Sequence, residues 1–368
     1  MIRNQWYAVL ESKEVSRGHK QFKRLGEDLV FFRDPPANDG VSRRKIATSG
    51  TLHCLLDLCC HRGAALSSGR LVPAGISRHW QHSPPRAGEL RLQCPFHGLE
   101  YAGNGQCTCI PANGAATKIP DNFRVRSYPV HEAQGWVWIW WGRPHSDQPQ
   151  EPMIDLPPPD QTMPHYFDDI PANLLTTSCV DPWDAHYSRV IENQLDVVHL
   201  PFVHYNTIGK GNNTLVDGPG VQWIGDRMFY TYVYNRQDNG SPPRKPNEVT
   251  IPPPGNDFRL EFIFPNLWQN RIAGKLRIVG AFVPIDDSHT RLYLKTYQGF
   301  VRLPGLTALF HLILRQTNRK IAFQDRRIVQ TQEPKASALK GRENLIQGDL
   351  PIMEYRKKRQ ELLDRIKI

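Results

Sequence analysis

The chain lacks any apolar run long enough to cross a bilayer, which takes about 20 consecutive apolar residues. Its longest stretches, Trp136–Trp141 and residues 306–314, fall well short, and His311 interrupts the second. The first nine residues carry no apolar core of a secretory signal. There is no Gly-x-Gly-x-x-Gly fingerprint for a flavin or nicotinamide, no internal repeat and no His-Glu-x-x-His pattern. Cysteine is scarce and odd in number, seven in 368 residues, without the spacing of a disulfide framework. These absences argue against a membrane-spanning, dinucleotide-binding or disulfide-stapled protein. They point to a soluble, cytoplasmic chain in a reducing compartment.

What is present begins with charge. Lys and Arg number 46 against 36 Asp and Glu, a net charge of +10. Nucleic-acid binding is not expected, because the basic residues are scattered rather than gathered into a stripe. The one cluster, Arg356-Lys357-Lys358-Arg359, reads as a solvated helix face or as a docking surface for an acidic electron donor.

Two metal-ligand pairs stand in the first hundred residues: Cys59-Cys60-His61 and Cys94-Pro95-Phe96-His97. Each offers one thiolate and one imidazole. Two Cys and two His are the ligands of a Rieske 2Fe–2S centre, where two His replace two Cys on one iron. A zinc site also uses Cys2His2, but zinc fingers pair Cys with Cys and His with His. The expected cluster ligands are therefore Cys59, His61, Cys94 and His97, with Cys60 a spare thiol.

Residues 1–147 read as all-β, with strands over 5–10, 28–32, 52–58 and 135–141 between Gly and Pro punctuation. A Pro-rich stretch within 148–164 reads as an extended linker. Residues 165–368 read as α+β: a helix over 184–199, strands over 221–224, 228–234, 259–264, 276–284 and 291–298, and helices over 306–332 and 351–366. Residues 236–257, rich in proline and polar side chains, read as a mobile loop.

The second domain carries a further constellation in Asn193-x-x-Asp196-x-x-His199-x4-His204. Five residues apart on an unbroken helix, His199 and His204 would diverge by about 140°. Pro201 stands between them and would break the helix, swinging His204 back. Asp196, three residues before His199, shares its face. Two His and one carboxylate make the facial triad of non-haem Fe(II) oxygenases. The carboxylate candidate is Asp325, on the apolar-rich helix over 306–332. Its bland alternative is a salt bridge with Arg326, Arg327 or another nearby base, and the residues alone leave that choice open.

Together these motifs resemble the catalytic α subunit of the Rieske non-haem iron oxygenases, over nearly the whole length from Asn4-Gln5-Trp6-Tyr7 onward. The Asn193–His204 pattern is similar to the α-only, demethylase-like branch. The resemblance implies a helix-grip-like catalytic domain with one mononuclear Fe(II) on His199, His204 and Asp325. It implies Asn193 beside that iron and Asp196 as the bridge between metal sites. It also implies a head-to-tail homotrimer, in which the 2Fe–2S cluster of one subunit serves the iron of the next. A ferredoxin or flavin reductase on a separate chain would supply electrons, and dioxygen would hydroxylate or demethylate a small, ring-bearing substrate. A Rieske electron carrier without a catalytic iron is the competing reading. The interval between His61 and Cys94 is longer than the family pattern. Residues 73–91 look inserted, with His79 and His82 as bystanders, and residues 45–51 look like a second elaboration.

Overall fold

The computed structural model describes residues 1–16, 18–35, 50–74, 88–114, 117–143, 169–253, 255 and 258–365. The chain divides into two compact units, Arg3–Pro164 and His165–Ile368, with Met1–Ile2 joining the second. The 148–164 linker and His79 and His82 lie outside the described residues, as does most of 45–51.

The first unit is built from three antiparallel sheets among the described residues. The tryptophan-rich run Trp136–Trp141 is buried at every position and forms the centre of a three-stranded sheet, between Gln5–Glu11 and Val130–Ala133. An unbroken apolar run is what a strand covered on both faces needs. A four-stranded sheet, Arg70–Pro73, Leu90–Gln93, Glu100–Tyr101 and Cys107–Cys109, carries the cluster loops at one end. Arg70–Pro73 pairs with Leu90–Gln93 from Arg70↔Gln93 to Pro73↔Leu90. The lengthened interval therefore begins and ends as two arms of one hairpin.

The second unit is a seven-stranded antiparallel sheet. Its order is Leu175–Trp183, Thr290–Gln298, Leu276–Pro284, Leu267–Ala273, Arg259–Ile263, Met228–Arg236, Leu215–Ile224. Among the described residues, four α-helices accompany it: α1 (Tyr187–Leu195), α2 (Leu200–Val203), α3 (Pro304–Val329) and α4 (Leu350–Asp364). Strand alternation divides the sheet into two faces. Phe229, Phe262, Phe264, Trp268, Phe282 and Leu294 share the face that packs against α1, α3 and α4 in one apolar core. Burying each such side chain contributes roughly 1.5–3 kcal/mol.

Several expectations need correction. The helix read over 184–199 ends at Leu195, because Asp196 leaves helical geometry with ψ 124°. Pro201 does not make that break. It sits in the first turn of α2, where its missing N–H is no loss. The cluster at 356–359 is neither a solvated face nor a docking patch. Arg356 and Lys358 are buried in ion pairs with Glu192, Glu343, Asp226 and Glu361, and Arg359 donates to the Tyr187 hydroxyl. The loop read over 236–257 is tied down at its start, where the buried Asp217 carboxylate pairs with both Arg236 and Arg244.

Candidate active site

The two cluster loops share one local design. In each, the cysteine N–H donates to the carbonyl five residues on: Cys59 to Ala64 (2.8 Å) and Cys94 to Leu99 (2.8 Å). In each, a glycine four residues on returns its N–H to the cysteine carbonyl: Gly63 to Cys59 (2.9 Å) and Gly98 to Cys94 (3.1 Å). Both glycines have left-handed φ, 73° and 74°, a conformation that side chains resist. The result places Cys59 and Cys94 in the domain core and His61 and His97 at the surface, their rings edge to face at 4.6 Å. Burial raises the Cys94 thiol, and the facing Cys59 adds to the rise. Paired buried sulfurs beneath paired surface imidazoles fit a two-iron cluster with its cysteines on one iron and its histidines on the other.

Sequence reasoning missed Tyr101. Its hydroxyl lies 3.0 Å from Cys59 Sγ and 3.3 Å from Cys60 Sγ. A ligating thiolate only accepts, so the tyrosine O–H donates to Cys59. Tyr101 is 42 residues from Cys59, and no local pattern links them. A donor to a cluster sulfur favours the reduced, more negative state. Tyr101→Phe is therefore expected to lower the cluster potential by some tens of millivolts, on the scale of ~59 mV per tenfold for one electron. Protein-film voltammetry reads it directly, and an unchanged potential would remove Tyr101 from the cluster's surroundings.

In the second unit His199, His204 and Asp325 converge, with all three ligand atoms within 4.8 Å of one another. His199 precedes α2 and His204 follows it, so one short helix brings the rings to 5.2 Å. Asp325 rises from the buried stripe of α3 and is only 2 % exposed. Its Oδ1 lies 2.9 Å from His204 Nε2 and 3.5 Å from His199 Nε2, yet accepts no well-formed hydrogen bond among the described residues. The Arg326 alternative is excluded for Asp325, because Arg326 pairs instead with Asp181 at 2.7 Å.

Gln324 fixes how His204 is oriented. Its amide nitrogen donates to Asn206 Oδ1 (2.9 Å), so its oxygen faces His204 Nδ1 at 3.0 Å and also accepts from Thr207. Nδ1 therefore donates to Gln324, and Nε2 is the nitrogen left to face the carboxylate. A buried carboxylate oxygen 2.9 Å from Nε2 without hydrogen-bond geometry fits a shared cation. The residues fit a mononuclear metal with two imidazoles and one carboxylate, leaving open positions.

Asp196 lies beside this triad, with Asn193 one turn earlier on α1. Asp196 Oδ1 accepts from the N–H groups of Val198 (2.6 Å) and His199 (3.2 Å), and Oδ2 is 3.7 Å from His199 Nδ1. Asn193 has its amide nitrogen buried without a partner among the described residues. Burial works against charge on His199, but the Asp196 and Asp325 carboxylates outweigh it and push the imidazole up to about 9. Burial alone would raise Asp325. The facing imidazoles outweigh it and hold the carboxyl below its usual range.

The sign of this linkage gives a prediction. His199 rises above its ordinary 6.5, so the metal-free protein holds this stabilisation fully below pH 6.5 and loses it as pH approaches 9. A divalent cation must displace that proton. Anaerobic Fe(II) affinity is expected to rise about tenfold per pH unit between pH 7 and 8.5 and to level off above 9. Affinity flat across that range would mean that His199 is not displaced.

A β-rich domain with a Cys2His2 cluster site, followed by a sheet-and-helix domain with a His-His-carboxylate metal site, defines the class of two-centre iron oxygenases. Residues 5–129 match the Rieske [2Fe-2S] domain, and residues 183–365 match the vanillate O-demethylase oxygenase C-terminal domain. The chain belongs to the Rieske oxygenases, as a catalytic subunit related to their demethylase and ring-hydroxylating members. It is 31% identical to the oxygenase component of dicamba O-demethylase of Stenotrophomonas maltophilia, over 55% of this chain and 48% of that protein. It is 29% identical to chloroplastic chlorophyllide a oxygenase of Chlamydomonas reinhardtii, over 57% of this chain and 26% of that protein. The matches thus span half or less of these relatives' length. In fold it is similar to NdmA of Pseudomonas putida CBB5, at TM-score 0.66 and 21% identity, covering 99% of this chain and 92% of that one. Among the described residues, no helix is long and apolar enough to cross a membrane.

Proposed function

We propose that this chain uses dioxygen, and electrons from a separate ferredoxin or flavin reductase, to hydroxylate or oxidatively demethylate a small ring-bearing molecule. The observation that carries the reading is the buried carboxylate facing the Nε2 atoms of two imidazoles, with His204 fixed by Gln324. The chemistry supplied by the bound groups is single-electron transfer at the cluster and dioxygen activation at the iron. Cys59, Cys94, His61 and His97 would hold the cluster, and His199, His204 and Asp325 the iron. Asp196 pins the following turn by two backbone bonds, and its Oδ2, 3.7 Å from His199 Nδ1, would orient the ring when the iron is bound. Asn193 would present its unpaired amide beside the iron. Relatives named for demethylation and for ring oxidation are both similar to this chain, so both outcomes belong to the proposal.

A head-to-tail homotrimer is part of the same proposal. It is supported by the exposed His61 and His97 and by the exposed Phe202, Tyr205 and Ile208, which flank the iron ligands in sequence. Seven free cysteines support a reducing, cytoplasmic setting. The test is iron and acid-labile sulfide on protein purified without oxygen, followed by substrate-dependent oxygen uptake with a surrogate reductase. About three irons per two sulfides are expected. Asp196→Asn should keep both metals and cut uptake by more than ~10-fold. Two irons per two sulfides after Fe(II) reconstitution would leave an electron carrier instead.

A further inference from the structure

The helix-facing side of the catalytic sheet carries one cross-strand row that the mechanism above does not use. Pairing runs Val221↔Thr231↔Leu260↔Asn270↔Ile278↔Thr296. One strand row away, Phe229, Phe262 and Trp268 are sealed into the core. Here Val221, Leu260, Asn270 and Ile278 stay partly open. Two contacts tie the row to the segments that carry the metal-facing residues. Asn235, four residues along the strand from Thr231 and on the same face, donates to the Val197 carbonyl at 2.6 Å. Asn318, two turns before Asp325 on α3, donates to Thr296 at 2.9 Å.

Two buried polar atoms in this row have no partner among the described residues: Thr231 Oγ1 and Asn270 Oδ1. Thr231 is only 1 % exposed, so its hydroxyl needs a partner held inside the protein. Such orphans cost stability, and a binding group left waiting for a ligand explains them. They flank Leu260 on its two neighbouring strands, roughly 10 Å apart by strand spacing. A flat ring laid on Leu260 reaches both.

The same face tells what charge that ring carries. Its one charged side chain in the described strands is Asp181, at the edge and paired with Arg326. By alternation Arg259, Glu261, Arg277 and Lys295 lie on the opposite face. From α3, Arg315, Arg319 and Lys320 are exposed. His311 meets Gln298 at 3.3 Å, and burial with nearby Arg315 lowers its pKa. Among the described residues of these strands and of α3, no buried cation faces the row to neutralise an acid. We infer that the substrate is an uncharged ring-bearing molecule with hydrogen-bonding groups on opposite edges, held by Thr231 and Asn270, and not a carboxylate or sulfonate. The inference rests on the oxygenase reading for its site and sets the substrate class within it.

The test has two arms on the metal-loaded protein. Thr231→Val and Asn270→Leu remove the orphaned atoms, so each should raise the melting temperature with the Rieske spectrum unchanged. Residues with a merely structural polar role would lower it. Titration calorimetry then compares amides with their carboxylic acids on the same rings, each with a polar group on both edges: 4-hydroxybenzamide, 6-hydroxy-2-naphthamide and terephthalamide. At least one amide should bind tenfold more tightly than its acid, and each variant should cost that amide at least fivefold while leaving the acid unchanged. Acids binding as well as amides, no amide binding, unaffected variants or lowered melting temperatures would each overturn the assignment. Oxygen uptake separates the two readings. Acid-driven uptake with indifferent variants refutes the substrate class and leaves the oxygenase standing. Amide binding without any uptake does the reverse.

Discussion

Asp325→Asn is expected to leave a folded protein with an intact Rieske spectrum and no catalytic iron. The substitution keeps the shape of the side chain and removes the charge that faces His199 and His204. Partners outside the metal's own ligands are worth 10–100-fold in affinity, and loss of an anionic ligand exceeds that. Iron should fall from about three to about two per chain, with sulfide unchanged. Substrate-dependent oxygen uptake should drop by more than ~100-fold. Without the carboxylate, His199 loses one of the two partners that raise it, so its imidazole should titrate closer to the ordinary range by NMR. Full iron retention in Asp325→Asn would mean that the carboxylate serves the fold and not the metal.

The second large effect is expected at Arg356. Four charged side chains close a ring between α1, α4 and the segment before α4. Arg356 meets Glu192 and Glu343 at 2.7 Å each, and Arg189 meets the same two carboxylates at 3.0 and 2.7 Å. Arg189 also donates twice to the Pro334 carbonyl. Arg356, Arg189 and Glu192 are buried. Taking one member from a buried ion pair strands its partner's charge, which costs ~3–5 kcal/mol. Arg356→Met should lower the unfolding free energy of the C-terminal unit by that amount, read from a denaturant titration of its own transition. The loss should also reach the metal. Glu192 stands one turn before Asp196, whose N–H closes α1 on the Glu192 carbonyl at 2.9 Å. A change below 1 kcal/mol would show that water already screens the ring.

How much of this was legible beforehand depended on sequence distance. The cluster ligands were readable because each loop is made from neighbours. Cys59 and Gly63, or Cys94 and Gly98, bond to each other across four residues, so spacing and geometry are one fact. The long strands and helices were readable from periodicity. Two strands of the catalytic sheet, Leu175–Trp183 and Leu267–Ala273, were not. The first contains Asp181 and Pro182, which disfavour strands, and survives at the edge of the sheet. The second mixes Gln269, Asn270 and Arg271 into an otherwise apolar run, because polar groups on its two faces serve different partners.

The composition and motifs alone pointed to two domains, to the Cys59, His61, Cys94 and His97 cluster set and to His199 and His204 as iron ligands. The cluster and iron candidates rest on groups within a few residues of one another. Only the tertiary structure brought Asp325 to the two histidines and gave Arg326 to Asp181 instead. It alone supplied Gln324 to His204 across 120 residues and Tyr101 to Cys59 across 42. It alone aligned Thr231 with Asn270 through strand register. A proton's place on an imidazole, or a donor to a sulfur, depends on distances of about 3 Å. Distances of that size between remote residues are set by packing, and a linear pattern does not contain them.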